Sequence, residues 1–167
     1  MPKYFIKTYG CQMNVYDSMK LAEKLEGFGY QNISSPERED QKSEWEKADI
    51  ILVNTCCVRE NAENRAFGFI SSLKNLKKKN PGLIVGICGC IPKEDHIDLK
   101  AKFPFVDLIF GPNEPERLEE FLQPSLPSPS PSGRGGISHR ASRGEGAYVT
   151  IMHGCNNFCS YCVVPYV

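Results

Sequence analysis

Net charge is absent from this chain. Its 167 residues carry 20 Lys plus Arg against 20 Asp plus Glu, so the formal charge is zero. Phosphate contacts need a basic surface, so a stand-alone nucleic-acid binder is disfavoured. No apolar run reaches the length of a bilayer-spanning helix, and no membrane partner is expected. The opening MPKYFIKTYG lacks the apolar h-region of a secretory signal. No fixed-period repeat is present. These absences predict a cytosolic, cytoplasmic chain whose thiols stay reduced. An apolar content of 41% and a mean hydropathy of −0.35 fit a soluble globular protein. The length gives one ordinary domain, or one domain plus a fragment. Cysteine is what the chain has in excess. Eight of them in a reducing compartment point to metal or redox chemistry more than to disulfides.

Composition separates three regions. Residues 1–122 alternate apolar bursts with helical periods. Residues 123–146, QPSLPSPSPSGRGGISHRASRGEG, are rich in Pro, Ser and Gly and hold almost nothing large and apolar to bury. Such a stretch cannot offset its own ordering entropy and reads as a linker or long loop. Residues 147–167 begin AYVTIMHGC, a strand running into a cysteine-rich loop.

The first region predicts strands over 3–9 (KYFIKTY), 49–54 (DIILVN), 83–88 (LIVGIC) and 106–110. A helix is expected after the first strand, with Asn14 as N-cap, Asp17 three residues on, and Leu21, Leu25 and Phe28 on one stripe. Gly27 and Gly29 supply its stop. A second helix is expected from about Arg59 to Lys78, with its basic end at the negative pole of the helix dipole. Pro92 is expected near the first turn of a helix containing Leu99, and Pro115 opens a last one. This β-α-β-α order implies the α/β class, an open parallel sheet with helices on both faces.

Cysteines fall at the strand ends. Cys11 follows the first strand, Cys56 and Cys57 the second, and Cys88 and Cys90 close the third. In an open parallel sheet all carboxyl ends share one edge, and ligands bind there. Thiols remote in sequence are therefore expected to meet. Buried cysteines acting as small hydrophobes and a structural zinc site are the competing readings, although zinc ligands usually come in close pairs. Adjacent Cys56 and Cys57 do not suit a disulfide. Only one of them easily points into a shared site, and Cys56 precedes a helix whose N-terminus favours a thiolate.

The second constellation is Cys155, Cys159 and Cys162, a C-x3-C-x2-C loop after a strand. Three thiolates so close suit a four-iron cluster with one iron left open. A zinc ribbon would need a second pair, and none follows in this sequence.

At these residues the sequence resembles the radical S-adenosylmethionine enzymes, and more narrowly the methylthiotransferase family. The matching segments are IKTYGCQMN (6–14), VNTCCVRENA (53–62), GICGCIPK (86–93), VDLIFGP (106–112) and TIMHGCNNFCSYCVVPY (150–166). The resemblance implies an N-terminal cluster domain over 1–122, the linker over 123–146, and over 147–167 the first strand and cluster loop of a truncated radical S-adenosylmethionine barrel. It implies two [4Fe-4S] clusters. The radical cluster falls on Cys155, Cys159 and Cys162, and an auxiliary one on Cys11, Cys56 and Cys90. Cys57 and Cys88 match no ligand position of the family. The YGCQMN start favours the branch acting on an N6-isopentenyl-type adenosine beside the tRNA anticodon. The branches acting on a ribosomal protein or a threonylcarbamoyladenosine read differently there.

In that family S-adenosylmethionine is cleaved to a radical that removes hydrogen from the adenine, and the auxiliary cluster carries the sulfur. The C–H bond is beyond acid–base chemistry, so the cofactors supply the reactivity. Implied partners are the anticodon loop and a reductant protein such as flavodoxin or ferredoxin, with the enzyme a monomer. The present residues alone are expected to be inactive. The rival class is an Fe–S electron-transfer or zinc-stabilised interaction module. His96 and His153 are expected to be solvated, Trp45 to pack, and Lys77 to Lys79 to form a solvated helix end. Arg59 and Glu60 either balance cluster charge or form a surface pair. Arg134, Arg140 and Arg143 are too sparse to bind.

Overall fold

The computed structural model describes residues 1–33, 45–57, 60–93, 98–112, 114–123, 155–160, 162 and 164–166. The linker beyond Gln123, the strand expected over 147–152, His96, His153, Arg59 and the three linker arginines lie outside the described residues, as does the side chain of Glu60.

Short runs of buried apolar residues make the central strands, and apolar residues at a period of 3.6 make the helices that cover them. In chain order these are β1 (Lys3–Thr8), α1 (Gln12–Gly27), β2 (Gln31–Asn32), β3 (Ile50–Thr55), α2 (Glu60–Lys79), β4 (Ile84–Gly89), a 3-10 turn (Ile91–Lys93), α3 (Leu99–Lys102), β5 (Leu108–Ile109), α4 (Glu116–Leu122) and a second 3-10 turn (Val164–Tyr166). The sheet has five parallel strands in the order β2-β1-β3-β4-β5. The α/β class with an open parallel sheet is therefore what forms. No helix among the described residues is long and apolar enough to cross a membrane.

Both faces of the sheet are covered. Phe5, Ile51, Val53, Val85 and Ile87 pack with Ala66, Ile70 and Leu73 of α2 and with Leu99 and Phe103. Tyr4, Ile50, Leu52, Cys88 and Leu108 pack on the other face with Leu21 and Leu25 of α1 and Leu118 of α4. All six residues of β3 are buried, as befits the centre of a parallel sheet, with apolar Ile50–Val53 followed by polar Asn54 and Thr55. Trp45 packs edge-on against Phe69, with ring centroids 5.5 Å apart.

Several boundaries differ from expectation. The polar dipeptide β2 pairs with Lys3 and Tyr4 and carries no apolar pattern that would announce it. Pro92 sits in the 3-10 turn, while α3 starts separately behind Asp98, whose carboxylate accepts from the Ala101 N–H at 2.9 Å. Lys77 is no solvated helix end. Its ammonium bonds both Asp107 oxygens at 2.8 and 3.0 Å and the Leu83 carbonyl, tying α2 to the start of β5.

Position follows from strand order. The chain steps outward from β1 to β2, then crosses to β3 on the other side of β1. The order reverses between β1 and β3, and the carboxyl ends there form the crevice where open α/β sheets take ligands. Cys11 and Cys56 are the cysteines that follow those two ends.

Candidate functional site

The strand ends are tied to one another before any thiol is considered. The Tyr9 N–H donates to Asn54 O at 2.8 Å, joining the ends of β1 and β3. The Cys90 N–H donates to Thr55 O at 2.9 Å, and the Thr55 hydroxyl donates to Cys88 O at 2.6 Å, joining β3 to β4.

Asn14 links the loop after β1 to the end of β3. It is 1% exposed. Its Oδ1 accepts from the Cys11 N–H at 3.1 Å and lies 3.4 Å from Cys11 Sγ. Its Nδ2 donates to Asn54 Oδ1 at 3.1 Å and to Thr55 O at 2.9 Å. Asn54 returns the contact, donating to Asn14 O at 2.8 Å and to Ser18 Oγ at 2.9 Å. The sequence pattern points to Asn14 as the N-cap of α1. Cys11 holds that place instead, and Asn14 is the third helical residue, reaching back to the cap N–H as in half of a capping box. The helix starts earlier because Gly10 turns the chain sharply after β1 and the Asn14 amide satisfies the first orphan donor.

Two glycines permit the close approach. A Cβ on Gly10 would collide with Asn14 Oδ1 and stand 2.7 Å from the Cys56 Cβ. Gly89 has φ +94°, and a Cβ there would collide with Thr55 O and stand 2.7 Å from Thr55 N.

Each expected thiol can now be placed. Cys11 is exposed at the start of α1, Cys56 is fully buried against Gly10, and Cys90 is half-buried in the loop after β4. A hydrogen bond from the Cys57 thiol, with others from the Cys57 backbone and the Asn14 side chain, holds the Cys90 thiol down at about 7, against the opposing push of burial and of Asp17. Cys57, which matches no ligand position of the family, is thus the thiol in contact with Cys90. Cys88 goes the other way. It is buried in the α1–α4 core with its Sγ 3.7 Å from Val53 O, and desolvation, aided by Asp17, raises its ionisation far above the ordinary thiol range. It packs as a small hydrophobe.

Cys155, Cys159 and Cys162 are joined by local hydrogen bonds. The Asn157 N–H donates to Cys155 Sγ at 3.5 Å, and the Cys162 N–H donates to Cys159 O at 3.1 Å, closing a turn between the last two cysteines. Among the described residues no group of three His, Cys, Asp or Glu side chains stands close enough to grip a single metal ion as it is. Asn14, Asn54 and Cys57 are the site residues that motif reading missed. The sequence signal for Asn14 was its place three residues after the cysteine that follows Gly10.

Comparison with known proteins agrees on one group. The chain is 43% identical over 176 residues to a tRNA-2-methylthio-N(6)-dimethylallyladenosine synthase of Clostridium beijerinckii, covering 98% of this chain and 36% of that protein. It is 45% identical over 180 residues to the synthase of Clostridium perfringens, covering 98% and 37%. It is 44% identical over 178 residues to that of Caldicellulosiruptor saccharolyticus, covering 98% and 35%. The chain thus spans little more than a third of the length of these relatives. Residues 3–111, which contain the whole sheet and the thiols at its edge, match one family along their full extent, and the chain belongs to the uncharacterized protein family UPF0004.

Proposed function

We propose that this chain is the auxiliary-cluster domain, with the start of the radical domain, of a tRNA methylthiotransferase acting on an N6-isopentenyl-type adenosine beside the anticodon. One observation carries the reading: three cysteine-bearing loops, from β1, β3 and β4, meet around Asn14 at the edge where strand order reverses. The relatives' names point to the same chemistry.

Cys11, Cys56 and Cys90 would hold the auxiliary [4Fe-4S] cluster, and Cys155, Cys159 and Cys162 the one that binds S-adenosylmethionine. The donor set fits. Three thiols on separate loops, one of them already ionising near neutrality, suit the wider span of an iron–sulfur core better than a single tetrahedral ion. When bound, these groups supply the radical and the sulfur that acid–base side chains cannot. The chain's own residues do the positioning. Asn14 fixes the Cys11 backbone and the Thr55 carbonyl in one frame. The burial of Cys56 keeps water from that side of the site. Cys57 stabilises the ionised form in which Cys90 can act as a ligand.

Anaerobic reconstitution followed by iron and sulfide counting should give two four-iron clusters per chain, falling to one in Cys11→Ala. Zinc alone, or a single cluster in the unaltered chain, would return the protein to the electron-carrier or zinc-module class. In cells, Cys11→Ala in the full-length protein should remove the methylthio group from tRNA adenosines while leaving the isopentenyl precursor, read by nucleoside mass spectrometry.

A further inference from the structure

A second cavity opens on the other side of β1 from the Asn14 clasp. It encloses about 540 Å³ and is lined by Lys7, Thr8, Tyr9 and Gly10 from the end of β1 and by Asn61 and Arg65 from the first turns of α2. No carboxylate lines it among the described residues. This contrasts with the cavity of about 400 Å³ on the α1–α4 face, which Asp17 and Glu116 flank. Asn61 and Arg65 are four residues apart and share one helix face. Arg65 stands with its guanidinium carbon 5.8 Å from the Tyr9 ring centroid, which holds the cation at the cavity wall. Lys7 lines the cavity from a different element, so cationic residues border it from two sides. The first turn of α2 adds the positive end of a 20-residue helix.

Cations on two elements, the Asn61 amide and a helix start are the donor set for a phosphate group. We propose that this cavity binds a backbone phosphate of the RNA strand, one residue from Cys11, and so sets how far the target base reaches toward the thiol edge. The inference rests on the tRNA reading above. It also explains how a chain of zero net charge can take RNA: the needed charge is local rather than spread over the surface.

The test is binding of a fluorescent anticodon stem-loop RNA to the reconstituted chain, with salt varied. Lys7→Ala and Arg65→Ala should each weaken binding about fivefold to tenfold and lower the log–log salt slope by about one. Arg65→Lys should keep most of the affinity, because the charge remains. Lys78→Ala, at the opposite end of α2, should change nothing. Iron counts should stay at the unaltered value in every variant, which separates this site from the cluster assignment. RNA affinity and salt slope unmoved by Lys7→Ala and Arg65→Ala would overturn the proposal while leaving the tRNA reading standing on its own nucleoside assay. So would a variant-sensitive thermal shift with inorganic phosphate and no variant-sensitive RNA binding, which would mark a free-anion site. No RNA binding by the unaltered chain would overturn it as well.

Discussion

Asn14 commits both ends of its amide to other loops, and its partners Asn54 and Thr55 are fully buried. Truncating it releases the Cys11 N–H and Asn54 Oδ1. The buried Asn54 Oδ1 left unpaired costs about 1–3 kcal/mol, while the N–H of exposed Cys11 can turn to water, so Asn14→Ala should lower stability by about 2 kcal/mol in urea denaturation of the metal-free chain. A loss under about 1 kcal/mol, the lower end for one such group, would mean that water replaces the clasp. Cys90 makes a second prediction. In the metal-free chain its alkylation rate should rise with pH through a midpoint near 7, because the thiolate is the nucleophile. Cys57→Ala should move that midpoint upward, while Cys88 stays unlabelled until the chain unfolds. The stability consequence has a definite sign. A thiol lowered from 9.0 to about 7 in the folded state contributes stability that is full above pH 9 and lost as pH falls through 7. Through this group, metal-free chain should melt lower at about pH 6.5 than at about pH 9, by an amount that Cys57→Ala reduces.

At the scale of elements, two glycines have opposite roles. Gly89 turns the chain out of β4 at φ +94° against Thr55, so Gly89→Ala meets both backbone strain and collision. A cost of about 2–5 kcal/mol is expected from these two terms together, with a lower iron count on reconstitution if the proposed auxiliary cluster sits at this edge. Gly68 lies in the middle of α2 on an exposed position, and a Cβ added there would meet no atom within 4 Å. Gly68→Ala should stabilise the chain by about 0.5–1 kcal/mol, and a lower melting temperature would contradict this. The elements also show where reading the sequence succeeded. β3 and β4 were legible because of their apolar runs Ile50–Val53 and Ile84–Cys88, and α2 because Ala66, Ile70 and Leu73 keep the helical period. β2 was not, because two exposed polar residues leave no pattern, and their pairing with Lys3 and Tyr4 is set by the sheet. The cap of α1 was misplaced for a related reason. Asn is an ordinary capping residue, and nothing local reveals that its amide is needed across the sheet.

For the whole molecule, the placing of the loops after β1, β3 and β4 along one edge was legible because parallel topology alone puts strand ends together. Which of the paired cysteines faces which partner was not. That depends on how Gly10 and Gly89 let the loops interlock, a matter of packing between segments distant in sequence. The sheet's outline has its own consequence. Its central strands are six residues long, yet the flanking β2 and β5 have only two residues each. Unpaired ladder at a sheet border is what a second copy would zip onto, and brevity removes the template. Sedimentation of the reconstituted chain should give a single-copy mass across a wide range of loading, and a dimer growing with concentration would contradict it. A sheet that tapers so sharply guards itself against fibril growth by its outline alone.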